Sequence, residues 1–207
     1  MEQSSTNEKV TIGVLAVQGA VEKHIQALER CGVRVIPIRF VAELDEVQGL
    51  IIPGGESTTI GKLMDRYGLD KKIIERAKEG MPVFGTCTGM ILLAKNIVNS
   101  DQHRLGLMDT TILRNAFGRQ VDSFEADLDI DEIGGPPVHA IFIRAPCATE
   151  AGENVKVLAR VDGHMVLVRQ DNLLGCAFHP ELTEDTRVHE YFIGMVKEWL
   201  VTHDSRN

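Results

Sequence analysis

A short apolar run, Pro82-Val83-Phe84, leads into Gly85-Thr86-Cys87-Thr88-Gly89 and then into an apolar, helix-forming segment that begins at Met90. That order requires a strand, a sharp turn and a helix in immediate succession. It is the sequence form of a nucleophile elbow, in which flanking glycines let the backbone turn tightly and push the central side chain into an open site. The central side chain here is a thiol. A helix starting just beyond it offers its N-terminal dipole and free N–H groups, which favour thiolate over thiol. Cys87 is therefore the candidate covalent nucleophile.

Other short apolar runs alternate with amphipathic segments. Val10–Val17 has strand length, and Ala20–Cys31 has helical spacing, with Val21, Ile25 and Leu28 on one face and a polar face opposite. Val33–Ile38 reads as a second strand, and the wholly apolar Gly49–Ile52 as a third, of the buried parallel kind. Pro53-Gly54-Gly55-Glu56-Ser57 is a turn, after which Ser57 or Thr58 can cap a helix to Tyr67. Asp70–Glu79 is the next helix, and the elbow helix spans about Gly89–Lys95. This rhythm predicts right-handed βαβ units around a mainly parallel sheet. From Gly106 to Ala177 the pattern is rich in strands: Thr110–Leu113, Phe124–Ile130, Val138–Arg144, Val155–Val161, His164–Arg169 and Leu173–Phe178. Asp162-Gly163 marks a tight hairpin within it. An amphipathic helix over Glu184–His203 ends the chain. The expected architecture is α/β, a three-layer αβα domain of flavodoxin-like type over residues 10–203, with an antiparallel strand extension and a flexible polar tail at residues 1–9.

Composition narrows the partners. In 207 residues the apolar fraction is 43% and the charged fraction 25%, ordinary for a folded globular chain. A net charge of −8 argues against nucleic acid or an anionic membrane as the main partner. No apolar run spans a bilayer, and the polar start has no secretory signal core. Cys31, Cys87, Cys147 and Cys176 form no C-x-x-C pair and no zinc spacing, so reduced thiols in a cytoplasmic protein without metal or cofactor are expected. Cys31 and Cys176 read as small buried hydrophobes, and Cys147 as a loop residue.

A thiol nucleophile needs a base, and the base needs an orienting group. His179 follows the apolar run Leu173–Phe178 and opens His179-Pro180-Glu181. A histidine at the carboxyl end of one strand can face the elbow of another, and Glu181 can reach back to its second nitrogen. Of the other histidines, His24 reads as solvated, His189 and His203 as surface residues of the last helix, and His103, His139 and His164 as loop or strand-end residues. The backbone N–H groups of the Gly54-Gly55 turn and of Thr88 are the candidate oxyanion donors.

The P-G-G-E-S loop, the G-T-C-x-G elbow and the late H-P-E together resemble class I, triad-type glutamine amidotransferase domains. The likeness is closer still to the glutaminase subunits of pyridoxal 5′-phosphate synthases. It is carried also by Gly13–Ala20, Pro53–Thr59, Arg114–Glu125, Phe142–Pro146 and Phe178–Asp185, and runs from about Val10 into the last helix. Thr88 stands where this family often has alanine, yet either supplies a backbone N–H. The resemblance implies that Cys87 attacks the side-chain amide of L-glutamine, that His179, held by Glu181, manages the protons, and that water releases glutamate from a glutamyl thioester. It implies that Gly55, Glu56, Ser57, Arg114, Ile143 and Arg144 line the glutamine site. Arg114 or Arg144 could bind the substrate carboxylate, or either could pair with a surface carboxylate such as Glu125. The ammonia would pass to a separate (β/α)8-barrel synthase subunit. The Gly54-Gly55 peptide can reorient, so weak activity alone and completion of the oxyanion hole by the partner are expected. Two other readings compete: a catalytically silent regulatory subunit of the same fold, and another elbow-cysteine hydrolase.

Overall fold

A computed structural model describes residues 9–118 and 123–204. Residues 1–8 of the tail expected at residues 1–9, and residues 119–122 of the Arg114–Glu125 stretch, lie outside the described residues. The first half follows the βαβ rhythm. Strands β1 (Thr11–Leu15), β2 (Arg34–Ile38) and β3 (Gly49–Ile52) are parallel, with helix α1 (Val21–Arg30) joining β1 to β2. Helices α2 (Ser57–Tyr67) and α3 (Leu69–Lys78) join β3 to β4 (Val83–Thr86). Gly68, at φ 71°, ends α2 and starts α3, a left-handed conformation that glycine adopts without a Cβ penalty. Helix α4 (Thr88–Leu93) follows the elbow, and α5 (Arg187–Asp204) closes the chain.

The remaining strands are β5 (Ala94–Ile97), β6 (Met108–Leu113), β7 (Ser123–Leu128), β8 (Val138–Ile143), β9 (Cys147–Ala151), β10 (Lys156–Val161), β11 (His164–Gln170) and β12 (Leu173–Cys176). One sheet runs β2-β1-β3-β4-β12-β11-β9-β6-β5, with β10 on β11. It is parallel from β2 to β12 and antiparallel from β12 to β6. Strand order reverses at β1, so right-handed crossovers put α1 on one face and α2–α3 on the other. Helix α5 shares the face of α1: Phe192 and Val196 lie against Gly49 of β3, and His189 meets His24. The expected antiparallel extension is present. It comprises both the far half of the sheet and a separate β7–β8 hairpin, where Phe124 stacks on Phe142 at a centroid distance of 4.4 Å. Asp162 and Gly163 join β10 to β11 with φ of 49° and 81°, the two left-handed residues that a tight hairpin turn demands.

Several local expectations are corrected. Ala94 and Lys95 leave the elbow helix and begin β5, because β6 provides a strand partner there. Cys147 lies in β9 and is buried, not in a loop. The carboxylate of Glu56, rather than Ser57 or Thr58, caps α2, accepting from Thr58 N at 3.0 Å and Thr59 N at 2.7 Å. Hydrogen bonding to Thr59 holds that carboxyl down at about 2. His24 and His189 are fully buried, since position 24 shares the inward stripe of α1 with Ala27 and Leu28.

The elbow glycines also act differently from expectation. Neither Gly85 nor Gly89 has a positive φ; Cys87 itself does, at 48°. A Cβ on Gly85 would strike the backbone of Gly89, and one on Gly89 would strike the carbonyl of Ile52. Glycine is needed here because the backbones of β3, β4 and α4 approach too closely for any side chain. Gly89→Ala is expected to lower stability by roughly 1–3 kcal/mol or more, since backbone rather than a flexible side chain must move. A thermal denaturation midpoint equal to that of the parent chain would count against this.

Candidate active site

β12 pairs parallel with β4 in a register that sets Cys176 opposite Thr86. The next residues therefore leave the same sheet edge together. Cys87 N–H donates to the Cys176 carbonyl at 2.7 Å, and His179 comes three residues beyond Cys176. The carboxyl ends of β1 and β3 open at this edge too, supplying Gln18, Gly19, Gly54 and Gly55. The β7–β8 hairpin completes the wall. Ile141 O accepts the His179 N–H at 2.8 Å, and β8 ends by delivering Ile143 and Arg144. The cavity enclosed is about 520 Å³.

Gly54, Gly55, Glu56, Ser57, Cys87, Thr88, Arg114, Ile143, Arg144 and His179 all line this one cavity. Glu181 lies behind it, 3% exposed, with Oε1 accepting from His179 Nδ1 at 2.7 Å. The His179 ring and Cys87 flank the same glycine: a Cβ on Gly54 would lie 2.7 Å from His179 Cε1 and 3.4 Å from Cys87 Cβ. Burial works against a charged ring, yet the neighbouring Cys87 and the bonded Glu181 carboxylate push His179 up to about 10. It is an imidazolium at neutral pH, set between sulfur and carboxylate. The His179 ring thus packs closely on the Pro53–Ser57 turn.

The turn itself is tied down on three sides. Gly54 O accepts from Ala20 N at 2.9 Å, Glu56 N donates to Gln18 Oε1 at 3.0 Å, and the Thr88 hydroxyl donates to Gly55 O. The Thr88 side chain thus links elbow and turn, a part that its backbone N–H alone would not play. On the opposite wall Gln102 Oε1 accepts from Arg114 Nη1 at 2.8 Å and from Ser57 Oγ at 3.2 Å, holding the arginine toward the cavity. Among the described residues neither Arg114 nor Arg144 has a carboxylate partner; Glu125 pairs with His139 instead. Both cations remain available to an anionic group. Asn115 and Arg144 have φ of 50° and 42°, backbone strain of the kind that gathers at binding sites.

The model of the SNO glutamine amidotransferase family matches residues 14–198. The chain belongs to this family. It is 58% identical over 185 residues to the pyridoxal 5′-phosphate synthase subunit PdxT of Carboxydothermus hydrogenoformans, covering 89% of this chain and 97% of that protein. It is 55% identical to the PdxT of Desulforamulus reducens, covering 91% of this chain and 100% of the relative. A solved structure described as a glutamine amidotransferase superposes with a TM-score of 0.86 at 48% identity, over 90% of this chain and 98% of the other. No described helix is long and apolar enough to cross a membrane.

In this SNO family chain the motifs carried most of the residues that line the cavity, but singled out neither Gln18 and Asn115, which also line it, nor Gln102, which holds Arg114. Gln18, Gln102 and Asn115 were missed because an amide gives no periodic or chemical signal by itself. His24 could have been found from its place on the stripe with Ala27 and Leu28, where a polar residue faces the core. The four thiols differ in setting. Burial raises the thiols of Cys31 and Cys176, and pushes Cys147 up to about 11. Those three stay protonated at pH 7. A brief pulse of iodoacetamide at pH 7, followed by peptide mapping, is expected to label Cys87 first, and His179→Ala to slow that labelling by about tenfold or more. Uniform labelling of all four thiols would refute the sulfur–imidazolium arrangement.

Proposed function

We propose that Cys87, His179 and Glu181 hydrolyse L-glutamine to glutamate and ammonia, and that the ammonia passes to a (β/α)8-barrel synthase subunit in a hetero-oligomeric complex. Family membership makes the chain a glutaminase of the glutamine amidotransferase type, serving pyridoxal 5′-phosphate synthesis. The observation that carries the triad is His179, lining one cavity with Cys87, both against Gly54, and bonded through Nδ1 to buried Glu181.

The chemistry follows from that arrangement. The Cys87 sulfur attacks the side-chain amide carbon, and the carbonyl electrons move onto oxygen. The N–H groups of Thr88 and of the Gly54-Gly55 turn are suited to receive that oxyanion. The His179 imidazolium gives its proton to the leaving nitrogen, so ammonia departs and a glutamyl thioester remains. The ring, now neutral, takes a proton from water as the water attacks the thioester. Glutamate leaves, and sulfur and imidazolium are restored. Glu181 holds the ring and offsets its charge throughout. Arg114 or Arg144 suits the substrate carboxylate, with Gly55, Glu56, Ser57 and Ile143 forming the rest of the pocket. All four cysteines are free, which fits a reducing, cytoplasmic setting.

Free ammonia is largely protonated in neutral water and no longer nucleophilic, so a shielded transfer to the partner is useful. Any reorientation of the Gly54-Gly55 peptide must break the bond from Ala20 N to Gly54 O. Partner docking supplies the energy for that change in this reading. Cys87→Ser is expected to lower glutamine turnover by at least roughly a thousandfold. An electrophilic glutamine analogue should add mass at Cys87 of the unmodified chain. Full turnover by the serine variant would reject the mechanism, and an unlabelled Cys87 would favour the silent-subunit reading. Adding the synthase subunit is expected to raise turnover by roughly a hundredfold, the worth of one oxyanion donor; equal rates would reject activation by the partner.

A further inference from the structure

Behind the cavity the polar contacts continue inward. Glu181 Oε1 is taken by His179, but Oε2 is sealed from solvent without a hydrogen bond of its own. His24 Nε2, on α1, stands 3.5 Å from that oxygen and 3.0 Å from the Thr86 hydroxyl. His24 Nδ1 stands 3.1 Å from Nε2 of His189 on α5. Both imidazoles are 0% exposed, and Phe84, backed by Phe192, meets the His189 ring edge-on. Two histidines buried this deeply in an α/β core need a reason, because apolar side chains would pack there at lower cost.

The carboxylate selects one tautomer of the pair. A bare Nε2 lone pair facing Glu181 Oε2 at 3.5 Å would be repelled, so His24 carries its proton on Nε2, bonded to Thr86 Oγ1 at 3.0 Å with its positive end beside the carboxylate. His24 Nδ1 is then an acceptor, filled by the Nε2–H of His189. From these contacts we infer that His24 is a positioning residue for the reaction, its Nε2–H steadying the Glu181 carboxylate toward His179, with His189 fixing the tautomer of His24. The inference rests on the reading of Cys87, His179 and Glu181 as the reacting triad. His24 touches neither the cavity nor the sulfur.

The electrostatics agree in direction. Burial lowers His24, and burial together with His24 lowers His189 to about 3, so both rings are neutral. Burial would raise the Glu181 carboxyl, yet the bond to His179 and its charge are among the causes that hold it below its ordinary value. Because His24 is neutral, its help is that of an N–H dipole, not of a cation. The other titratable and charged groups around the cluster are Cys87 at the elbow, Cys176 on β12 and Arg30 on α1. With the His24 donor gone, the Glu181 carboxyl rises toward the value that burial dictates. Glu181 then protonates at higher pH, and the acid limb of turnover moves up.

The test is steady-state hydrolysis of L-glutamine against pH, on the full chain with its synthase subunit present. His24→Leu keeps the volume and removes the donor; His24→Gln places an amide N–H near the lost Nε2–H. His24→Leu is expected to lower kcat by about tenfold, the worth of one hydrogen-bond donor facing a charged group, and to move the acid limb up by about one pH unit with KM little changed. His24→Gln should recover most of both. A parent-like kcat and acid limb in His24→Leu overturns the inference. So does a loss of kcat with no movement of the acid limb and no rescue by glutamine, the mark of packing alone. If His24→Leu does not fold, His189→Leu is read instead: an upward, smaller shift of the acid limb supports the inference and an unmoved limb overturns it. Glu181→Gln separates the two levels. Full activity there would sink the triad, whereas an inactive Glu181→Gln beside a parent-like His24→Leu sinks only the role of His24.

Discussion

The parallel pairing of β4 with β12 is the constraint on which the rest depends. Those strands pair in a register 90 residues apart, Thr86 against Cys176 by way of Gly85 against Gly175 and Phe84 against Leu174. Nothing local draws them together; burial of both faces of each strand does. Once paired, the two strands must release the chain at one edge, where Cys87 N–H reaches the Cys176 carbonyl. A slip of one residue would turn every side chain of β12 to the opposite face and carry His179 away from the sulfur. The chemistry of the site is therefore set by the hydrophobic packing of its sheet.

Strain and charge are concentrated where that edge opens. Cys87 holds a left-handed φ that a residue with a Cβ resists, and the surrounding sheet over-determines it. Around it the backbones of β3, β4 and α4 come so close that Gly85 and Gly89 admit no side chain. The result is a rigid sulfur beside an imidazolium that burial alone would discharge. The ring keeps its proton because two groups flank it, one on the elbow and one in the His179-Pro180-Glu181 turn. Farther in, Glu181 meets the two neutral rings contributed by α1 and α5. The same face that supplies apolar packing for β1 and β3 thus also bears on the carboxylate.

Elements whose signals are local could be read directly. The turn at Asp162-Gly163 is legible because only left-handed residues close a two-residue hairpin. The elbow, the Pro53–Ser57 loop and His179-Pro180-Glu181 are legible because each couples a strand end to a turn and a chemically distinctive side chain. Strands β5 and β9 were not, for Lys95, Asn96, Thr149 and Glu150 are polar and become strand only through the partners at β6 and β11. The cap of α2 was assigned to the wrong side chain, since serine and threonine are the ordinary choice and the reach of Glu56 depends on the angle at which the loop enters.

Order along the chain dictated the alternation of strand and helix, and its short motifs singled out Cys87, His179 and Glu181 as the proposed triad and pointed to the family, because each is written in neighbouring residues. Only the folded state decided that His24 and His189 face inward, that Gln102 holds Arg114, and that Thr88 ties the elbow to the glycine turn. Those contacts join residues far apart in the chain, and their sense comes from packing, in which a side chain's role is set by what surrounds it rather than by its own type.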